Sequence, residues 1–175
     1  MNAASVTQDD LAWLERACLG QDMPPGAEQS LRLAAQSYSE PEQAEKYLAQ
    51  ALELAPSHPA VYIAFYRHHF YGGRIREALP YSTLCLALAR RELGLAGDWW
   101  EVAPEDGLFG DVAAFGPRFF LFSLKAYGYL QMRLGNLDEG RRAVNKVLQL
   151  DPTDKVGAAV LLDVLNRLGQ PDEDE

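Results

Sequence analysis

A small residue returns at a fixed interval in this chain, inside the same helical phrase each time, and that interval restricts the fold more than any other feature. Ala44 opens AEKYLAQALELAPSHP, and Ala78, 34 residues on, opens ALPYSTLCLALA. A third copy, GRRAVNKVLQLDPTD, begins at Gly140 and closes as the first does, Leu150-Asp151-Pro152 answering Leu54-Ala55-Pro56. A period of this length marks helical hairpins laid side by side, because one hairpin alone cannot bury its apolar face. Gly140 follows Ala78 by 62 residues, one period and 28 more, so an insertion interrupts the array between the second and third copies.

Local signals divide the chain accordingly. Thr7 and Asp10 resemble a capping box that starts an N-terminal helix within residues 1–22, ended by Gly20. Pro24-Pro25-Gly26 leads into a helix over about Ala27–Tyr38, and Pro41 suits the first position of a helix running to about Leu54. The spacing predicts further helices over Ala60–Tyr71, from Arg74 to about Leu93, over Pro117–Leu134, Leu137–Leu150 and Asp154–Leu168. Pro80 is expected to be tolerated because the first backbone donors of a helix lack partners within it. The expected repeats are therefore 25–58, 59–91 and 121–154, with a capping helix at 154–168 and an acidic tail at 170–175. The insertion, about 94–117, holds five glycines, two prolines and five carboxylates besides the aromatics Trp99, Trp100, Phe109 and Phe115.

Charge narrows the partners. The net charge of −9 argues against nucleic acid, whose phosphates need clustered Lys and Arg. Residues 96–117 carry five acidic and no basic side chains, whereas residues 61–95 and 118–151 are each net positive. No apolar run is long enough to span a membrane, and the N-terminus lacks the basic start of a signal peptide. Cys18 and Cys85 have no metal-binding or disulfide spacing, so both read as small buried apolar groups in a reducing compartment. A cytoplasmic location is the expectation.

These residues resemble the tetratricopeptide repeat family. Leu124, Tyr127-Gly128, Gly135, Gly140, Val147 and Pro152 occupy its pattern places in the third copy. Tyr62, Phe65-Tyr66, Gly73, Ala78 and Cys85 do so in the second, with Arg90 in place of the closing proline. The first copy matches in its second helix (Ala44, Leu48, Ala51, Pro56) and departs in its first, where Arg32 takes a small-residue place. The resemblance covers about 25–91 and 118–169. It implies an all-α, right-handed helical-hairpin solenoid of about three repeats, with flanking helices and one insertion. It also implies a docking groove lined by the first helix of each repeat. Helical phase then nominates Ile63, Arg67, Phe70 and Tyr71 from the second copy, and Lys125, Tyr129, Met132 and Arg133 from the third. Aromatic groups interleaved with cations suit a protein or peptide partner carrying acidic and apolar groups. The family's clamp for a C-terminal dicarboxylate needs Lys and Asn where this chain has Gln29, Leu33, Ala64, Phe122 and Ala126, so that ligand is not expected.

Chemistry-bearing motifs are missing from the sequence: it has no phosphate loop, dinucleotide fingerprint, HExxH or nucleophile elbow. Adjacent His68 and His69 point about 100° apart on a helix and cannot chelate one metal as an i,i+4 pair. His69 reads as a hydrogen-bonded structural histidine. The carboxylates Asp98, Glu101, Glu105, Asp106 and Asp111 do not follow a calcium-loop spacing. No catalytic residue, metal or cofactor is therefore assigned.

The leading functional expectation is a non-catalytic adaptor or assembly factor that binds a protein partner without nucleic acid or membrane. The alternatives are a dedicated chaperone for secreted or assembling subunits, an enzyme or metal-binding protein that uses the acidic aromatic insertion, and self-association through apolar terminal faces. The insertion is expected to fold back on the basic groove as lid or wall, with Trp99 or Trp100 as anchor and carboxylates against Arg67, Lys125 or Arg133. The other placement has it covering a core gap on the outer side.

Overall fold

The computed structural model describes residues 22–111 and 113–169. The expected N-terminal helix, Cys18 and the acidic tail lie outside the described residues. Those residues form α1 (Pro25–Gln36), α2 (Pro41–Leu54), α3 (Pro59–Tyr71), α4 (Ile75–Glu92), α5 (Phe115–Arg133), α6 (Leu137–Leu150) and α7 (Ala159–Leu168). Two short 3-10 turns, Trp99–Glu101 and Pro104–Asp106, lie between α4 and α5. No strand occurs among the described residues, as expected for an all-helical repeat chain. Two compact units divide the chain, one reaching Cys85 and the other starting at Leu86.

Repetition in sequence becomes repetition in backbone geometry. Pro25, Pro41 and Pro59 each open a helix, at the position where the missing N–H costs nothing and φ is already helical. The α3–α4 turn has Gly73 at φ 72°, and the α5–α6 turn has Gly135 at φ 86°. Arg74 N donates to His69 O at 2.9 Å in the first turn, and Asn136 N donates to Gln131 O at 2.9 Å in the second. These are the same six-to-one closure of a helix C-terminus, which needs a residue in the left-handed region. Helices α2 and α6 also end alike. Ala55 (φ −140°, ψ 65°) and Asp151 (φ −125°, ψ 73°) each donate an N–H to the carbonyl four residues back.

The recurring small residue is buried in every copy, and in the third it sits where the two helices of the hairpin cross. Ala44 and Ala78 are buried, and Gly140 admits no side chain at all. A Cβ there would lie 2.6 Å from Met132 Cγ and 3.1 Å from Gly128 O. In the first unit α1 packs on α2, while Tyr81 of α4 stacks on Phe65 at 4.6 Å and on His69 at 5.3 Å. Phe65 and His69 are i,i+4 neighbours on α3, so one ring from α4 covers both. In the second unit α5 packs on α6 and α6 on α7, with Phe119, Phe120, Leu121, Leu124 and Leu130 of α5 fully buried.

Two expectations need correction. Pro80 is the sixth residue of α4, beyond the donors that lack partners, so one internal hydrogen bond to Arg76 is lost. Pro80 lies on the exposed side, where water can satisfy the freed carbonyl. The last helix starts at Ala159 and not at Asp154, because Asp154 takes φ 51° and Gly157 φ 69°. The Asp154 carboxylate turns forward and accepts from Ala158 N at 2.5 Å and Ala159 N at 3.2 Å. It serves as the cap of α7. Asp154→Ala removes these acceptors and leaves a Cβ-bearing residue in the left-handed region without local compensation. The expected loss is about 1–2 kcal/mol, read as a lower urea midpoint at unchanged m-value.

Candidate functional site

The eight residues nominated for the groove separate by burial. Ile63 (2% exposed), Lys125 (3%) and Tyr129 (6%) belong to the core. Arg67, Phe70 and Met132 are half-buried, and Tyr71 and Arg133 are exposed. Lys125 is the main correction. Its ammonium donates to Val156 O at 2.7 Å and lies 5.9 Å from the Phe122 ring centre. Val156 precedes α7, so its carbonyl takes a side-chain donor. Arg133 Nη1 donates to Tyr129 Oη at 2.8 Å, and its guanidinium lies over the same ring. Phase placed these side chains on a face of α5, but nearly all of that helix is enclosed, from Pro117 to Gln131.

The insertion turns apolar side chains into the second unit. Trp99, Val102 and Phe109 point inward and are buried. Trp99 lies 5.9 Å from Tyr127, and Phe109 lies 5.5 Å from Phe120. Phe115, counted with the insertion, is the first residue of α5 and stacks on Phe119 at 5.1 Å. The cations that hold the segment include Arg90, Arg142, Lys146 and Lys155. Arg142 lies over both Trp99 (5.5 Å) and Trp100 (5.6 Å). Lys146 Nζ donates to Val102 O at 2.9 Å, Lys155 Nζ to Gly110 O at 2.6 Å, and Arg90 faces Asp98 at 3.6 Å. The segment thus packs on α6, the second helix of its hairpin. Charge complementarity between the acidic segment and a basic hairpin was legible; the face was not. Arg142 and Lys146, four apart on α6, were the available signal.

The acidic residues have local work. Glu101 accepts from Asp98 N at 2.7 Å, Asp106 from Ala103 N at 2.8 Å, and Asp111 from Ala113 N at 3.2 Å. Short turns leave backbone donors open, and each carboxylate closes one. Two large apolar side chains remain outward among them, Trp100 (46% exposed) and Leu108 (77%). Trp100 is braced edge-on by Trp99 at 5.5 Å as well as by Arg142.

A second constellation lies in the first unit. His68 and His69 of α3, Glu45 of α2 and Arg74 of the α3–α4 turn converge. Glu45 Oε1 lies 3.0 Å from His68 Nε2, Arg74 Nη2 lies 2.5 Å from the same nitrogen, and Arg74 Nε donates to His69 Nδ1 at 3.2 Å. Burial, then the Arg74 charge, holds the His69 pKa below its ordinary value, while the His68 hydrogen bond holds Glu45 low. His58 stands apart and caps α3, its Nδ1 accepting from Ala60 N at 3.2 Å. The sequence reading omitted Glu45, which enters from another helix 23 residues before His68 and shares no motif with it.

A family model described as tetratricopeptide repeat matches residues 126–154, which span the end of α5 and all of α6. An uncharacterized 19.8 kDa protein in the nifW 5' region of Azotobacter chroococcum mcd 1 is 35% identical over 133 residues, covering 75% of this chain and 74% of that protein. No solved structure matches. The matched repeat, the recurrent glycine turns and small-residue crossings, and the related chain agree: this protein belongs to the tetratricopeptide repeat family.

Proposed function

We propose that this protein is a non-catalytic interaction adaptor that holds a protein partner, and that the insertion supplies the main contact. The observation that carries this reading is Trp100, a half-exposed indole braced by Trp99 and Arg142 in a segment whose Leu108 also faces outward. A large aromatic already held in place loses little freedom on binding, which is how interface anchors gain their weight. Carboxylates in the same segment favour a partner whose apolar pocket is flanked by basic side chains. This differs from the acidic peptide expected from the sequence, because Lys125 is engaged inside the fold and Arg133 is bonded to Tyr129. The exposed aromatic end of α3, with Arg67, Phe70 and Tyr71, is the natural comparison surface.

The test is quantitative capture from the source cells by wild type, Trp100→Ala and Arg67→Glu/Tyr71→Ala. The product of nifW serves as the first defined bait, because the relative is named for its place beside that gene. Trp100→Ala is expected to weaken the captured partner by about 2 kcal/mol, roughly thirtyfold, at unchanged helix content. A partner insensitive to Trp100 and lost with Arg67→Glu/Tyr71→Ala moves the contact to the repeat groove. One stoichiometric client, held only before its own assembly, makes the adaptor a dedicated chaperone.

A further inference from the structure

The contacts around His68 conflict as they stand. Its Nε2 faces a carboxylate oxygen at 3.0 Å, which calls for a proton on nitrogen, and a guanidinium nitrogen at 2.5 Å, which calls for a lone pair. One ring nitrogen serves only one of these, whichever tautomer it takes. His69 Nδ1 already presents a lone pair, since it accepts from Arg74 Nε. The arrangement is three potential lone-pair donors closing on one cation, the arginine.

We propose that Glu45, His68 and His69 form a binding site for a divalent first-row transition ion of the zinc type, occupied in this conformation by the guanidinium of Arg74. One carboxylate oxygen and two imidazole nitrogens are a donor set that zinc accepts, with a fourth position left to water. Their ligand atoms all lie within 4.8 Å of one another. Tetrahedral bonds of about 2.0–2.1 Å require ligand atoms roughly 3.3 Å apart, so modest side-chain rotations close the set. A metal resolves the conflict at Nε2, because all three groups then act as lone-pair donors. Access is open on the Glu45 side, whose side chain is 45% exposed, while that of His68 is 12% exposed. Arg74 is 30% exposed and sits in the turn, so it can swing to water as the ion enters. Tyr81 stacked on His69 holds that ring in place from behind. Adjacent histidines are not an i,i+4 pair; here the side-chain torsions of His68 and His69, together with Glu45 from α2, bring the three ligand atoms within 4.8 Å.

Zinc titration of the full chain by calorimetry, with cobalt absorption as the spectroscopic readout, tests the site. One equivalent is expected to bind. His68→Ala and Glu45→Gln should each weaken binding about tenfold or more, Arg74→Ala should tighten it by a similar factor, and His58→Ala should leave it unchanged. Helix content by circular dichroism checks that each variant folds. If His68→Ala does not fold, imidazole nitrogen shifts of the wild type decide: movement at His68 and His69 on zinc addition supports the site. Absence of zinc binding in both wild type and Arg74→Ala overturns it. So does binding that ignores the His68 substitution, or nitrogen shifts confined to His58.

Discussion

Gly140→Val is expected to destabilise the protein by about 3 kcal/mol and lower the melting midpoint by roughly 6–12 °C. The cause is steric and local. A Cβ at Gly140 would stand 2.6 Å from Met132 Cγ, 3.1 Å from Gly128 O and 3.2 Å from Met132 N. Two of these are backbone atoms of α5, so relief requires the helices to separate along a buried seam. Gly128 faces the same seam, where its own Cβ would lie 3.1 Å from Ala143 Cβ. Gly110→Ala is the matched control: nothing lies within 4 Å of its Cβ and its φ is not in the left-handed region. Calorimetric melting of the two variants checks the pair. A valine at 140 that melts within 2 °C of wild type would mean that the α5–α6 crossing is looser than described.

Trp99→Ala is the second large effect, about 3–5 kcal/mol, the usual cost of emptying a buried aromatic site. Trp99 is the point where the insertion meets both Tyr127 and Arg142. Its removal should loosen the whole segment from α6, and limited proteolysis should then cut between residues 94 and 114 at a rate that wild type resists. Its neighbour separates stability from binding: Trp100→Ala should cost less than about 1 kcal/mol in the fold. If Trp99→Ala leaves the melting midpoint unchanged while exposing the segment to protease, the insertion is an appendage that contributes nothing to the core.

Much of the architecture was legible in the chain because it rests on short-range rules. Proline at the first helical position, glycine at a left-handed helix end and a small residue at a helix crossing act within one or two turns, so Pro41, Gly73, Gly135 and Gly140 announce their roles. The start of α7 was misread because Val156 and Ala158 continue the apolar series of the helix back toward Asp154. A side-chain cap from Asp154 onto Ala158 and Ala159 competes with the helix there and prevails. The groove residues were misjudged for another reason. Periodicity tells which side chains share a face, but burial of that face depends on what packs over it, and α5 is covered nearly all round.

By itself the sequence determined the repeat unit, its interruption after the second copy and the sign of the charges that hold the interrupting segment. These follow from local conformational preference and from composition, both of which are properties of consecutive residues. Only the tertiary structure decided that Lys125 faces inward to Val156, that Arg142 and Lys146 hold the insertion, and that Glu45 joins His68 and His69. Such meetings depend on angstrom-scale placement of groups 23 to 44 residues apart. No rule of spacing along one helix encodes that placement.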